Sequence, residues 1–249
     1  MFKVDDIVFD KHIPELSPEQ ITGVIGAMEN EIRLLRDAMQ VIKTDEIAGT
    51  VFYQGMLNAH PVVLVKCGIG KVNAAVCTQT LILRYGVERV INTGVAGALD
   101  RHVNLGDIII STDTVQHDFD LGSLDLPDGK NAGSPSAADP ELRQKAVRAA
   151  KKVASNVQVF EGRICSGDQF VAGREKKQSI VDRFGGYCCE MEGAAVAQTC
   201  CLSKVPFVII RAISDKADDS GEVSFSAFAD AVSRRSAAIV CDMLENFHS

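Results

Sequence analysis

Val62-Val63-Leu64-Val65-Lys66-Cys67-Gly68-Ile69-Gly70 and, further on, Val87-Glu88-Arg89-Val90-Ile91-Asn92-Thr93-Gly94-Val95-Ala96-Gly97 decide the fold. Each is a short, nearly continuous apolar run that halts at glycines. Between them Val72–Tyr85 reads as a helix of small residues. Continuous apolar strands belong to a sheet covered on both faces, and strand–helix–strand order belongs to parallel α/β units. Toward the N-terminus, Ile21–Met28 is another such run, and Asn30–Met39 spaces Ile32, Leu34, Leu35 and Met39 as a helix does. Val51–Leu57 is bracketed by turn-like residues at Gly49 and Asn58-Ala59-His60-Pro61. Toward the C-terminus come runs at Asp107–Thr112, Val157–Ile164, Gly186–Cys189 and Pro206–Ala212. An Ala-rich helix at Gly193–Leu202 and a long amphipathic helix at Phe225–Phe247 complete the pattern. The expectation is an α/β protein: a three-layer α/β/α sandwich with a central mixed, mostly parallel sheet. No repeat and no linker divides two cores, so residues 21–249 read as one domain behind an N-terminal extension, residues 1–20. The stretch Phe119–Pro140, rich in Gly, Asp, Ser and Pro, is long for a connection and reads as a functional loop or a disordered segment.

Composition narrows the function classes. Of 249 residues 46% are apolar, which argues against disorder. Acidic residues (33) outnumber basic ones (26), a formal net charge of −7, whereas a nucleic-acid binder needs a basic face. Lys3, Asp5, Asp6, Asp10, Lys11, Glu15 and Glu19 interrupt any apolar run in the leader, unlike a secretory signal. No uncharged window reaches a membrane-spanning length. The eight cysteines form no C-x-x-C ladder and read as free, buried thiols; the five histidines show no zinc spacing. The reading is a cytoplasmic protein with no metal and no membrane or nucleic-acid partner.

In open α/β sheets ligands bind beyond the carboxyl ends of the strands. Those ends carry Glu29 and Glu31, Gly68 and Gly70, Gly94 and Gly97, Ser166-Gly167-Asp168, Glu190-Met191-Glu192 and Ser214-Asp215. The glycines would let backbone N–H groups approach a ligand. Gly68-Ile69-Gly70-Lys71-Val72-Asn73 lacks the third glycine of a dinucleotide fingerprint and the Ser/Thr of a triphosphate loop. The carboxylates say more. Cleaving a glycosidic or N-ribosidic bond needs an acid for the leaving group, a base for water and stabilisation of an oxocarbenium-like transition state. Two or three carboxylates around one pocket supply all three, although any single one could as well cap a helix or lie in solvent.

Six strings stand in order: Ile25-Gly-Ala-Met-Glu-Asn-Glu31, Cys67-Gly-Ile-Gly-Lys-Val72, Asn92-Thr-Gly-Val-Ala-Gly97, Ser166-Gly-Asp-Gln-Phe170, Glu190-Met-Glu192 and Arg211-Ala-Ile-Ser-Asp215. Together the chain resembles the 5′-methylthioadenosine/S-adenosylhomocysteine nucleosidases, a family of the nucleoside phosphorylase superfamily. The resemblance implies a nucleoside phosphorylase-like fold, a homodimer, a nucleoside substrate, no cofactor, and hydrolysis of the adenine–ribose bond in 5′-substituted adenosines. It puts Asp215 at the general acid that protonates adenine N7, with Ser214 orienting it, and Glu31 at the carboxylate that activates water. Glu192 would bind the ribose hydroxyls and Met191 pack on the sugar. Phe170 would stack on adenine and the Val171 backbone read its edge. Met28, Ile69, Ala96, Gly97 and Phe225 would line the pocket, with Arg211 in support. Leu121 and Leu124 would reach the partner subunit's pocket, in a loop without the aromatic residues often found there. Val95 stands where many members carry Ser. Two other readings stay open at this stage: a phosphate-dependent nucleoside phosphorylase on the same fold, and a nucleoside-binding domain without catalysis.

Overall fold

Each expected apolar run is a strand in the computed structural model, which describes residues 21–120 and 134–247. The ten strands are β1 (Thr22–Gly26), β2 (Gln40–Ile47), β3 (Thr50–Leu57), β4 (His60–Lys66), β5 (Arg89–Ala98), β6 (Ile108–Gln116), β7 (Ser136–Ala137), β8 (Val159–Ser166), β9 (Cys188–Glu190) and β10 (Phe207–Asp215). The six helices are α1 (Glu29–Ala38), α2 (Lys71–Tyr85), α3 (Pro140–Val153), α4 (Arg174–Phe184), α5 (Gly193–Ser203) and α6 (Gly221–Glu245).

The continuous apolar runs have a simple cause. Successive side chains alternate between two covered faces. In β1 Val24 faces one core and Ile25 the other; in β4 Val62 and Leu64 alternate with Val63 and Val65; in β10 Val208 and Ile210 alternate with Phe207 and Ile209. Ile32 and Leu35 of α1, Leu142 and Ala146 of α3 and Val232 and Ile239 of α6 fill the first core. Cys77 and Leu81 of α2 and Val196 and Cys200 of α5 fill the second. Three layers result. Ile180 of α4 closes a smaller cluster with Leu99, Val115, Cys165 and Cys189. Each buried Val, Leu or Ile contributes roughly 1.5–3 kcal/mol relative to exposure.

The sheet is mixed, with parallel pairing at its centre: β4–β1–β5–β10 run parallel. Beyond β4 the antiparallel strands β3 and β2 extend one edge. The other side closes on itself. β10 pairs with β5 and also, antiparallel, with β6; β6 runs parallel to β8, β8 to β9, and β9 returns antiparallel to β5. Five strands therefore form a ring fused to an open sheet.

Six of the eight thiols are buried, but Cys201 on α5 is exposed and Cys241 on α6 is half-buried at the edge of the first core. Residues 1–20 and the middle of the Phe119–Pro140 stretch, including Leu121 and Leu124, lie outside the described residues. No helix among the described residues is long and apolar enough to cross a membrane, and no cluster of three or more His, Cys, Asp or Glu could hold a metal ion.

Candidate active site

The strand ends converge on one cavity of about 370 Å³. All twelve residues expected to act on or line a nucleoside pocket border it: Met28 and Glu31 from the β1–α1 junction, Ile69 from the turn before α2, Ala96 and Gly97 from β5. Phe170 and Val171 follow β8, Met191 and Glu192 follow β9, Ser214 and Asp215 end β10, and Phe225 opens α6. Arg211 lies behind this lining and is fully buried.

Glu31 is held from three sides. It sits in the first turn of α1, where a carboxylate is favoured by the helix dipole and satisfies otherwise unpaired N–H groups. Its Oε2 accepts from the N–H groups of Ala27 (2.7 Å) and Met28 (2.9 Å), and its Oε1 from that of Val95 (3.0 Å). A carboxylate has about four acceptor positions, so Oε1 keeps one free for water. Burial raises the Glu31 pKa, against the pull of Arg211 and the backbone N–H groups. The approach of α1 to β5 needs Gly94: a Cβ there would lie 2.5 Å from Glu31 Oε1.

Asp215 ends β10 at an irregularity in its register with β5. Its Oδ1 accepts from the N–H of Ala217 at 2.8 Å, and the Ser214 hydroxyl donates to Oδ2 at 2.9 Å. Burial raises its pKa, with Asp218 adding to the effect. That is the direction a carboxylic acid needs if it is to donate a proton near neutral pH. Gly97 faces it across the sheet, where a Cβ would come within 2.6 Å of Oδ1.

Glu192 caps α5 and borders the same cavity. The Gly70 N–H donates to its Oε1 at 2.8 Å. The glycine turn thus orients a carboxylate instead of meeting a ligand directly, a difference from the sequence expectation. Burial, then repulsion by Glu190, push the Glu192 carboxyl up to about 8. Glu190 behaves oppositely. Burial works against its charge, but Arg211 and the Ser166 hydroxyl hold it below the usual carboxylate range. Phe170 and Phe225 meet edge to face, centroids 5.6 Å apart, and form an aromatic wall.

Sequence reasoning gave no role to Glu190, Cys189 or Gln169, all of which border the cavity. The Glu-x-Glu string was the available signal for Glu190, and Gln169 lay inside the quoted string Ser166–Phe170; nothing marked Cys189 as more than a packed thiol. His117 and Asp118 stand apart from it. His117 is buried against Gly167, and Asp118 pairs with Lys71 at 2.6 Å. Among the described residues lining the cavity there is no lysine, arginine or histidine, whereas Glu31, Glu190, Glu192 and Asp215 are present.

Residues 21–245 match the family model described as the phosphorylase superfamily. A 5′-methylthioadenosine/S-adenosylhomocysteine nucleosidase of Bacillus anthracis is 43% identical over 226 residues, which are 90% of this chain and 97% of that protein. Among solved structures, the Neisseria meningitidis nucleosidase in complex with methylthio-immucillin-A superimposes with a TM-score of 0.86 at 39% identity, covering 91% of this chain and 99% of that one. The futalosine hydrolase of Helicobacter pylori superimposes with a TM-score of 0.83 at 33% identity, covering 91% and 97%. The chain belongs to the phosphorylase superfamily and, within it, to the family of 5′-methylthioadenosine/S-adenosylhomocysteine nucleosidases.

Proposed function

We propose that the chain hydrolyses the N-ribosidic bond of 5′-methylthioadenosine, S-adenosylhomocysteine and related 5′-substituted adenosines, releasing adenine. One observation carries the reading: a single cavity with carboxylates on separate walls and no cation among the described residues that line it. A phosphorylase must hold an anionic nucleophile, and the described lining offers no cationic side chain to hold one. Val95 adds a methyl wall beside Glu31 in place of a hydroxyl. A water-activating hydrolase needs neither a cation nor that hydroxyl.

In the proposed sequence Asp215 gives its proton to adenine N7, and the C1′–N9 bond breaks with its electron pair leaving on the base. Water held at the free position of Glu31 Oε1 attacks C1′ and passes a proton to Glu31. Glu192 takes the ribose hydroxyls, Met191 packs on the sugar, Phe170 stacks on the base, and the Val171 backbone reads its edge. Ser214 orients Asp215 through the 2.9 Å bond, and Arg211 supports Glu31 electrostatically from behind.

The protein acts as a cytoplasmic homodimer, with residues 21–249 as one domain and residues 1–20 as an extension. The pairing is supported by an apolar stripe on α2, where Val72 (73% exposed), Val76 (49%) and Leu83 (78%) share one side of the helix. Ile69, which borders the cavity, directly precedes that helix.

The test is adenine release from methylthioadenosine in phosphate-free buffer, with adenosylhomocysteine, 5′-deoxyadenosine and inosine as competitors. The expected result is turnover unaffected by added phosphate and little competition from inosine. Turnover that requires phosphate and yields a pentose 1-phosphate would make it a phosphorylase; binding without turnover would make it a binding domain.

A further inference from the structure

Glu190 ends β9, two residues before Glu192, and both oxygens of its carboxylate are engaged within the protein. Oε2 accepts from Arg211 Nη2 at 2.5 Å, from the Gly193 N–H at 2.7 Å and from the Glu192 N–H at 3.0 Å. Oε1 accepts from the Ser166 hydroxyl, whose oxygen in turn accepts from the Ala194 N–H at 2.7 Å. The first N–H groups of α5 are therefore satisfied from β9 and β8, with no side chain of the cap residue involved. Four hydrogen bonds from within the protein thus converge on the Glu190 carboxylate, three of them on Oε2.

The two terminal nitrogens of Arg211 are likewise engaged, while its Nε has no hydrogen-bond partner among the described residues. Beyond Glu190, its Nη2 donates to Asn92 Oδ1 at 2.6 Å and its Nη1 to the Ile210 carbonyl at 3.1 Å. None of its hydrogen bonds reaches Glu192 or Glu31. Glu192 consequently has one recorded partner, the Gly70 N–H on Oε1, and Oε2 is unengaged at the cavity wall.

We propose that Glu190 is a positioning residue for Glu192: it pins the Glu192 peptide N–H and holds Arg211 to itself, which leaves Glu192 Oε2 free for the hydroxyls of a nucleoside sugar. This rests on the reading that Glu192 faces the ribose. A fully buried arginine beside two glutamates could pair with either. The backbone N–H groups of Glu192 and Gly193, converging on Glu190 alone, decide which one receives it.

Glu192 is charged or neutral according to what surrounds it. Facing it are Glu190 from β9, Arg211 from β10, Glu31 from α1, the Cys67 thiol at the end of β4, and the Gly70 N–H. With its value near 8, Glu192 is largely protonated at neutral pH. A protonated carboxyl can donate to one hydroxyl of a diol and accept from the other. Removing the Glu190 charge takes away a repulsion and releases Arg211 toward Glu192. Both changes favour the ionised form of Glu192.

The experiment is calorimetric binding of a carbon-linked adenosine analogue, which cannot be hydrolysed, between pH 6 and 9.5, alongside its 2′,3′-dideoxy counterpart. In the wild-type protein the affinity for the diol ligand should change with a midpoint near 8. In Glu190→Gln that midpoint should fall by about one pH unit or more, while Glu190→Asp, which keeps the charge, should stay close to wild type. The dideoxy ligand should show no such step in any variant. A midpoint that stays in place in Glu190→Gln, or falls as far in Glu190→Asp, overturns the proposal. Diol and dideoxy ligands that titrate alike overturn instead the assignment of Glu192 to the ribose. Should Glu190→Gln not fold, Glu192→Gln supplies the check: the step must vanish there, and its persistence refutes the idea.

Discussion

At the scale of single residues, the site is built from carboxylates whose surroundings differ more than their chemistry. Asp215→Asn keeps the shape of the acid and removes its proton, so kcat should fall about 10²–10⁴-fold with ligand binding largely kept. Glu31→Gln should do the same through the water, since an amide cannot take its proton. Single-turnover adenine release and calorimetry together separate the two effects, and an unimpaired rate in either variant removes that residue from the mechanism. Gly94→Ala tests the packing that seats Glu31. With a Cβ 2.5 Å from Oε1, either α1 or β5 must shift, so kcat should drop at least about tenfold and stability by roughly 1–3 kcal/mol in denaturant titration. That Glu31, Glu192 and Asp215 border one cavity could be expected from the sequence because each follows an apolar run, but only the family resemblance singled them out from the other carboxylates at strand ends. The role of Gly94 could not be expected, because it depends on where the first turn of α1 meets a strand more than sixty positions away.

At the scale of elements, strands buried on both faces announced themselves and the exposed edge did not. Gln40–Ile47 carries Lys43, Asp45 and Glu46 and has mostly exposed side chains, so β2 is fixed by its pairing to β3 and not by an apolar period. β9 is shorter and later than the run Gly186–Cys189, since pairing to β5 and β8 begins only at Cys188 and reaches Glu190. The capping of α5 by Glu190 and Ser166 was equally hidden, as its donors and acceptors come from three different elements. For α2 the element-level prediction concerns the apolar stripe. Val76→Glu puts a charge in the middle of it, and the protein should shift from dimer to monomer in sedimentation velocity. Because Ile69 links that surface to the cavity, kcat/KM should fall with it; an unchanged dimer would place the interface elsewhere.

At the scale of the whole molecule, the net charge of −7 is joined by a cavity that gathers four of the carboxyl groups, and this sets a pH dependence. Glu31, Glu192 and Asp215 all have raised values in the folded state. An acid so raised stabilises the fold fully below its unfolded value and loses that contribution as pH climbs through the folded one. For Glu192 the window runs from its ordinary 4.5 to about 8. Stability in thermal melting should therefore decline as pH rises from about 5 to about 8, on the order of a few kcal/mol, and Glu192→Gln should flatten the decline. The layered architecture could be read from the order of strands and helices, whereas the closure of five strands could not, since no sequence period records which distant strands meet. That closure has a temporal side. The strand that completes the circle, β10, is the last to leave the ribosome and is also the one bearing Asp215. A nascent or truncated chain lacking it has an unfinished circle and lacks Asp215 at once, so, with Asp215 as the proposed acid, adenine release would double as a signal that the final strand has been fitted into place.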